Sequence, residues 1–154
     1  MKIINRQTLD QLTELARTNP RLRKNWNIHP HDDFPAHRLL NAIEPDSYIR
    51  PHRHLDPTKD ETFLIVRGRL GVLLFDEAGG ITEAVLLDAA GSTLGVDVPA
   101  GVYHTAVSLA PGTIFFEAKA GPYQPLAEAE KPAWAPEDGA PEAAGYLAML
   151  KKSL

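Results

Sequence analysis

The feature of this 154-residue sequence that most restricts its fold is a train of short β-prone runs between residues 34 and 121. HRLLNAI gives way to EPDS, RLGVLLF to DEAGG, TLGVDV to PAG and YHTAVSL to APG. SYIRPHRH, ETFLIVRG, ITEAVLL and TIFFEAK complete the series. Runs of this length bounded by Gly, Pro, Asp and Asn are strands, and a series at such regular spacing builds an all-β sandwich or barrel. FLIV at 63–66 and GVLLF at 71–75 are apolar on both faces, so something must cover the outer side of the sheet. The covers available are an N-terminal helix, the C-terminal tail or a second copy of the chain, and a homodimer is expected on this ground.

The flanks follow other rules. Thr8 with Gln11 three residues on reads as the start of a helix, and Leu9, Leu12, Leu15 and Ala16 recur at helical spacing. Asn19-Pro20 ends it. Arg17, Arg21, Arg23 and Lys24 then read as a solvated helix C-terminus. After Gly121 the composition turns Pro- and Ala-rich, which cannot continue a sheet and is expected to wrap the surface as an arm anchored by Tyr123 and Trp134. A short helix over 142–152 closes the chain. The expected organisation is one compact domain: a helical extension at 1–33, a barrel at 34–121, and the arm with its helix at 122–154.

The balance of 16 basic and 20 acidic residues, a net charge of −4, argues against a dedicated nucleic-acid or membrane-surface binder. A small-molecule ligand is the expected partner. With no cysteine in the chain, any metal site must be built from His and carboxylate. The first residues lack the apolar core of a signal peptide and no run reaches bilayer length, so a soluble cytoplasmic protein is expected.

Such a site is spelled out in IRPHRHLDPTKDETF. Residues i and i+2 share a face only on a strand, where the Cα atoms of His52 and His54 would lie roughly 6.6 Å apart. Both imidazoles could then reach one ion at about 2.0–2.1 Å. The chain turns through LDPTKD, and Glu61 returns in phase with Phe63 and Ile65. His104, just after the Pro-Ala-Gly turn, supplies a third imidazole. One divalent ion held by His52, His54, Glu61 and His104 is the expected cofactor, and this donor set suits Zn, Fe, Ni, Mn or Co.

Other polar residues are expected to face the same interior. On a regular strand Arg50 and Tyr48 keep phase with His52, Arg50 for a substrate carboxylate or phosphate and Tyr48 as a hydroxyl donor. Arg38 and Asn41 fall on opposite faces of their strand, so at most one of them lines the pocket, and Arg38 is taken as the substrate contact. Glu117 and Lys119 share a face with Phe115, and charges aimed inward are costly unless they pair or serve a site. They are the candidate catalytic groups, with a structural ion pair as the plainer alternative. His29, His31 and His37 read as surface histidines.

HRH, then Glu61, then six residues to Gly68, and later PAGVYH, resemble the two metal motifs of the cupins. The likeness lies in His52, His54, the Glu61 to Gly68 interval and the Pro99, Gly101, His104 interval. It departs in the long interval between His54 and Glu61, and in Ser108 where the second motif often has Asn. NWNIHP, HRLLNAI, SYIRPHRH, KDETF, LLFDEAGG, FFEAKAGPY and AWAPEDG together resemble the WbuC-type cupins. That resemblance implies a jelly-roll metalloprotein with a helical N-terminal extension, related to proteins encoded near O-antigen sugar-biosynthesis genes. It implies no particular reaction. An isomerase or epimerase using the ion as a Lewis acid on a small anionic or sugar-derived substrate is the leading reading. An Fe-dependent dioxygenase and a non-catalytic sugar- or acid-binding module are the alternatives.

Overall fold

Seven of the eight predicted runs pair into two antiparallel sheets in the computed structural model, which describes all 154 residues. Helix α1 (Arg6–Arg17) precedes strands β1 (Arg23–Asn27), β2 (Ala36–Ile43), β3 (Glu61–Arg67), β4 (Arg69–Phe75), β5 (Ile81–Asp88), β6 (Gly95–Val98), β7 (Tyr103–Ser108) and β8 (Thr113–Ala120). A short 3-10 turn (Glu128–Glu130) and helix α2 (Ala143–Lys152) follow. One sheet has the order β1-β2-β8-β3-β6 and the other β5-β4-β7. Their facing sides share a core in which Phe63, Ile65 and Phe115 of the first meet Leu70, Val72, Leu87 and Ala106 of the second. This is the expected jelly-roll sandwich.

The outer faces have two different covers. Leu9, Leu12 and Ala16 of α1 pack on Leu40, Ala42 and Ile114. On the other side Ala143, Leu147 and Leu150 of α2 pack on Leu73, Phe75, Tyr103 and Val107. The doubly apolar character of β4 is therefore met within the chain. Gly71 fits the same arrangement, because a Cβ there would stand 1.9 Å from Leu154 Cδ1. Among the strands, only β3 keeps large apolar side chains in water, Leu64 and Val66 at 46% and 38% exposure, so the homodimer expectation now rests on that strand. Leu150 has no exposed surface, and Leu150→Ala is expected to cost about 2–5 kcal/mol in urea unfolding. A change under about 0.5 kcal/mol, as surface positions give, would mean that α2 is not part of the cooperative unit.

Four expectations are corrected. Asn5, not Thr8, caps α1, its side chain accepting from the Thr8 amide at 3.0 Å. Residues 1–33 are not simply a helical extension, since β1 within them pairs with β2 from Arg23 opposite Ile43 to Asn27 opposite Leu39. RKNWN has a single apolar residue and carries no alternating signal of its own. SYIRPHRH forms no regular strand. Only His52 pairs, in an isolated antiparallel bridge to His104. In the arm, Trp134 is an anchor, its ring 5.2 Å from Phe75 and 5.8 Å from Tyr103, whereas Tyr123 is 60% exposed. No helix is long and apolar enough to cross a membrane.

Candidate metal centre and its cavity

Backbone hydrogen bonds bring the two histidine motifs together. His52 and His104 exchange amide-to-carbonyl bonds of 3.0 and 2.8 Å. Gly101, at φ +84°, makes the left-handed turn before β7, and its amide donates to the His54 carbonyl at 2.8 Å. Next to it, Ala100 donates to Asp60 Oδ1 at 2.8 Å, so one turn holds both ends of the His54–Asp60 loop. The arm closes the other side. Glu130 accepts from Leu55 N at 2.9 Å with its side chain and from Arg53 N at 3.0 Å with its backbone. Arg53 itself lies over the Tyr103 ring at 4.2 Å and pairs with Glu77 at 2.6 Å.

Glu61 opens β3 opposite Lys119 of β8 and Val98 of β6, and its side chain is buried. One carboxylate oxygen lies 2.9 Å from His54 Nε2 and 2.5 Å from Lys119 Nζ, and the other 3.0 Å from His104 Nε2. Burial alone would raise this carboxyl's pKa. Hydrogen bonds from His104 and His54 and the Lys119 charge outweigh it and hold the pKa well below the usual range. Deep burial, followed by the neighbouring His104, drives the His52 pKa down to about 3, so this imidazole stays neutral.

The donor set fits a divalent ion. Donor atoms of His52, His54 and Glu61 lie within 4.8 Å of one another. Nδ1 of His52 is 3.0 Å from the Arg50 carbonyl and Nδ1 of His104 is 2.9 Å from the Val102 carbonyl. For His52, anchoring Nδ1–H on a carbonyl leaves Nε2 as the ligating nitrogen, the usual arrangement of a metal-bound histidine, whereas Nε2 of His104 here donates to Glu61. His104 reaches the centre through Glu61 and lies outside the mutually close group of three.

A cavity of about 450 Å³ runs along the inner face of the larger sheet from His52, and a second of about 200 Å³ shares His37, His52, Lys119 and Tyr123 with it. The first falls within the usual range of small-ligand sites, about 300–1,000 Å³. Glu117 and Lys119 both line it. They are paired at 2.7 Å, so the ion pair and the cavity position hold together. The Glu117 and Glu61 charges raise the Lys119 pKa against the effect of burial.

The three expected substrate contacts lie elsewhere. Arg50 donates to the Pro132 carbonyl at 2.8 Å and lies 3.7 Å from Glu137, both in the arm, because its segment is not a strand and the expected phase with His52 is lost. Tyr48 donates its hydroxyl to the Pro136 carbonyl at 2.9 Å and belongs to the core beneath α2, where burial raises its pKa. Arg38 is exposed on the outer face of β2, its guanidinium 5.6 Å from the Phe34 ring centre. Asn41, on the opposite face, takes the inward position and donates to Glu117 at 2.6 Å. His29 and His37 are not surface groups. Each is 4% exposed, and their rings stack at 4.0 Å and 6°. Alternation along HRLLNAI places His37 on the face of Leu39 and Asn41, a signal present in the sequence for one of the pair.

The sandwich is a cupin fold, with relatives among solved structures at low identity. KdgF from Halomonas sp. is 17% identical with a TM-score of 0.53, over 70% of this chain and 85% of that one. A cupin-2 domain protein from Shewanella frigidimarina is 18% identical with a TM-score of 0.51, over 77% and 95%. Oxalate decarboxylase from Lactobacillus farciminis is 20% identical with a TM-score of 0.50, over 66% of this chain and 29% of that larger chain. No curated protein matches the sequence. The chain belongs to the family described as Domain of unknown function (DUF6016), whose model matches residues 4–87.

Proposed function

We propose that this protein is a metal-dependent cupin enzyme that moves a proton on a small oxygen-rich, sugar-derived substrate, in the manner of an isomerase or epimerase. The observation that carries this reading is the hydrogen-bonded chain Asn41–Glu117–Lys119–Glu61, which joins two proton-carrying side chains of the cavity wall to a residue of the donor cluster. In a bare binding pocket such groups would serve only to hydrogen-bond the ligand, and solvent exchange separates the two. His52, His54 and Glu61 would hold the ion, with His104 completing or steadying the set. When bound, the ion would supply a Lewis acid for a substrate carbonyl or hydroxyl. Glu117 would take up or return the proton on a substrate carbon, Lys119 fixes its carboxylate and balances the charge of Glu61, and Asn41 holds its second oxygen. The WbuC-type relationship, and with it a place in surface-polysaccharide sugar chemistry, belongs to this proposal. It is supported by the stretches NWNIHP, SYIRPHRH and KDETF, all within the matched region.

The test is solvent exchange. Metal-loaded protein is incubated in D2O with a panel of aldoses and uronic acids, and deuterium entering the carbon next to the carbonyl is followed by proton NMR. Exchange with the wild type, lost by at least about 100-fold in Glu117→Gln with metal content unchanged, is the expected result. Binding without exchange would make the protein a binding module, and oxygen consumption with Fe(II) in place of exchange would make it an oxygenase.

A further inference from the structure

The cavity continues well past the metal centre, and its far end is built differently. His37 pairs across β2–β8 with Lys119, which pairs across β8–β3 with Glu61, so two strand spacings, roughly 10 Å, separate His37 from the metal cluster. Asn27 of β1 lies one strand further out, opposite Leu39. His29 lies behind, stacked on His37. Its Nδ1 lies between the Arg38 carbonyl at 3.1 Å and the Arg38 amide at 3.2 Å, so the backbone of one residue engages this nitrogen in either tautomer and Nε2 is left for another partner. His29 is 4% exposed and lines the cavity, yet its Nε2 has no hydrogen-bond partner. A buried ring nitrogen without a hydrogen-bond partner is costly unless a ligand supplies one. Asn25 and Asn27, hydrogen-bonded at 2.6 Å, line the same end and leave the Asn27 amide N–H groups without a protein acceptor.

We propose that this end of the cavity, formed by His29, Asn25 and Asn27, is a second ligand subsite that recognises neutral hydroxyl oxygens of a sugar-sized ligand whose acidic end sits at the metal. The inference rests on the metal-centre reading for the position of the acid and adds to it the length and chemistry of the ligand. A hydroxyl both accepts and donates, so it suits the His29 ring nitrogen in either tautomer as well as the amides of Asn25 and Asn27. A two-carbon hydroxy acid spans only a fraction of the two strand spacings between the metal cluster and His37, and a six-carbon sugar acid spans most of them. The stacked His37 ring holds His29 in place while its own Nε2 is engaged by the Asp32 carbonyl at 2.9 Å.

The experiment compares D-glucuronate with glycolate by calorimetric titration of the metal-loaded full-length protein. D-glucuronate is expected to bind at least tenfold more tightly. Asn27→Ala and His29→Phe, the latter keeping the ring stack, are expected to erase that preference while leaving glycolate affinity and metal content unchanged. Asn27→Ala stands alone if His29→Phe does not fold. Equal affinities in the wild type, no glucuronate binding to fully loaded protein, or variants that weaken both acids alike would each overturn the subsite. Metal content is measured separately, so a wild type that takes up no metal yet prefers glucuronate would sink the metal reading and leave the subsite standing.

Discussion

Replacing His52 or His54 with Ala is expected to lower metal affinity by at least about 100-fold, the upper end of what residues merely supporting a ligand cost when removed. Both belong to the group whose donor atoms lie within 4.8 Å of one another, and His52 presents a neutral ring anchored through Nδ1. His104 separates two versions of the centre. If it ligates directly, His104→Ala matches the loss seen for His52→Ala. If it acts by holding Glu61, to whose carboxylate it is bonded at 3.0 Å, the loss is nearer tenfold and His104→Gln recovers part of it. The measurement is competition with a chromogenic chelator on protein made without a His-tag. Full occupancy in all three alanine variants would remove the centre altogether.

Much of the sandwich was legible because its strands announce themselves locally. ETFLIVR, RLGVLLF and YHTAVS carry β-branched and aromatic residues between strong turn signals, and each forms where expected. β1 was not legible, since RKNWN gains its strand conformation from pairing with β2 at the sheet edge and not from its own pattern. The metal motifs were legible for a related reason. Spacing together with the cupin resemblance singled out His52, His54, Glu61 and His104, of which the first three bring their donor atoms together, although the expected geometry, a regular strand through HRH, is replaced by one bridge pair and a loop clamped by the arm. That replacement is also why Arg50 and Tyr48 were misplaced: phase arguments fail once a segment leaves the strand. The His29 and His37 stack depends on a loop returning over β2, a tertiary fact with no short-range signature.

The second large effect is expected at Glu61 in the metal-free protein, where the carboxylate is 2% exposed and within hydrogen-bond reach of His54, His104 and Lys119. Removing one partner of a buried ion pair costs about 3–5 kcal/mol, and since Lys119 keeps Glu117 at 2.7 Å the low end is expected for Glu61→Ala. Lys119→Met should cost a similar amount. The double variant should lose clearly less than the sum, because neither charge is then left alone. Strict additivity would mean that the pair does not couple. Acid adds a second signature. The Glu61 pKa is depressed in the folded state, so its contribution is complete above the unfolded value, about 4.3, and disappears as the pH falls through the folded value. His52 acts earlier. Its folded pKa is lowered to about 3. Between the unfolded value of about 6.5 and that folded value, the unfolded chain binds a proton the folded chain refuses, and stability falls on the order of 1 kcal/mol per pH unit. Urea midpoints measured with a chelator present should therefore drop in two stages as the pH is lowered, the first lost in His52→Phe and the second in Glu61→Gln. A wild-type midpoint flat from pH 6.5 down to 4.5 would show that His52 can take its proton without unfolding, and a neutral, ligand-ready imidazole would then no longer be part of the folded site.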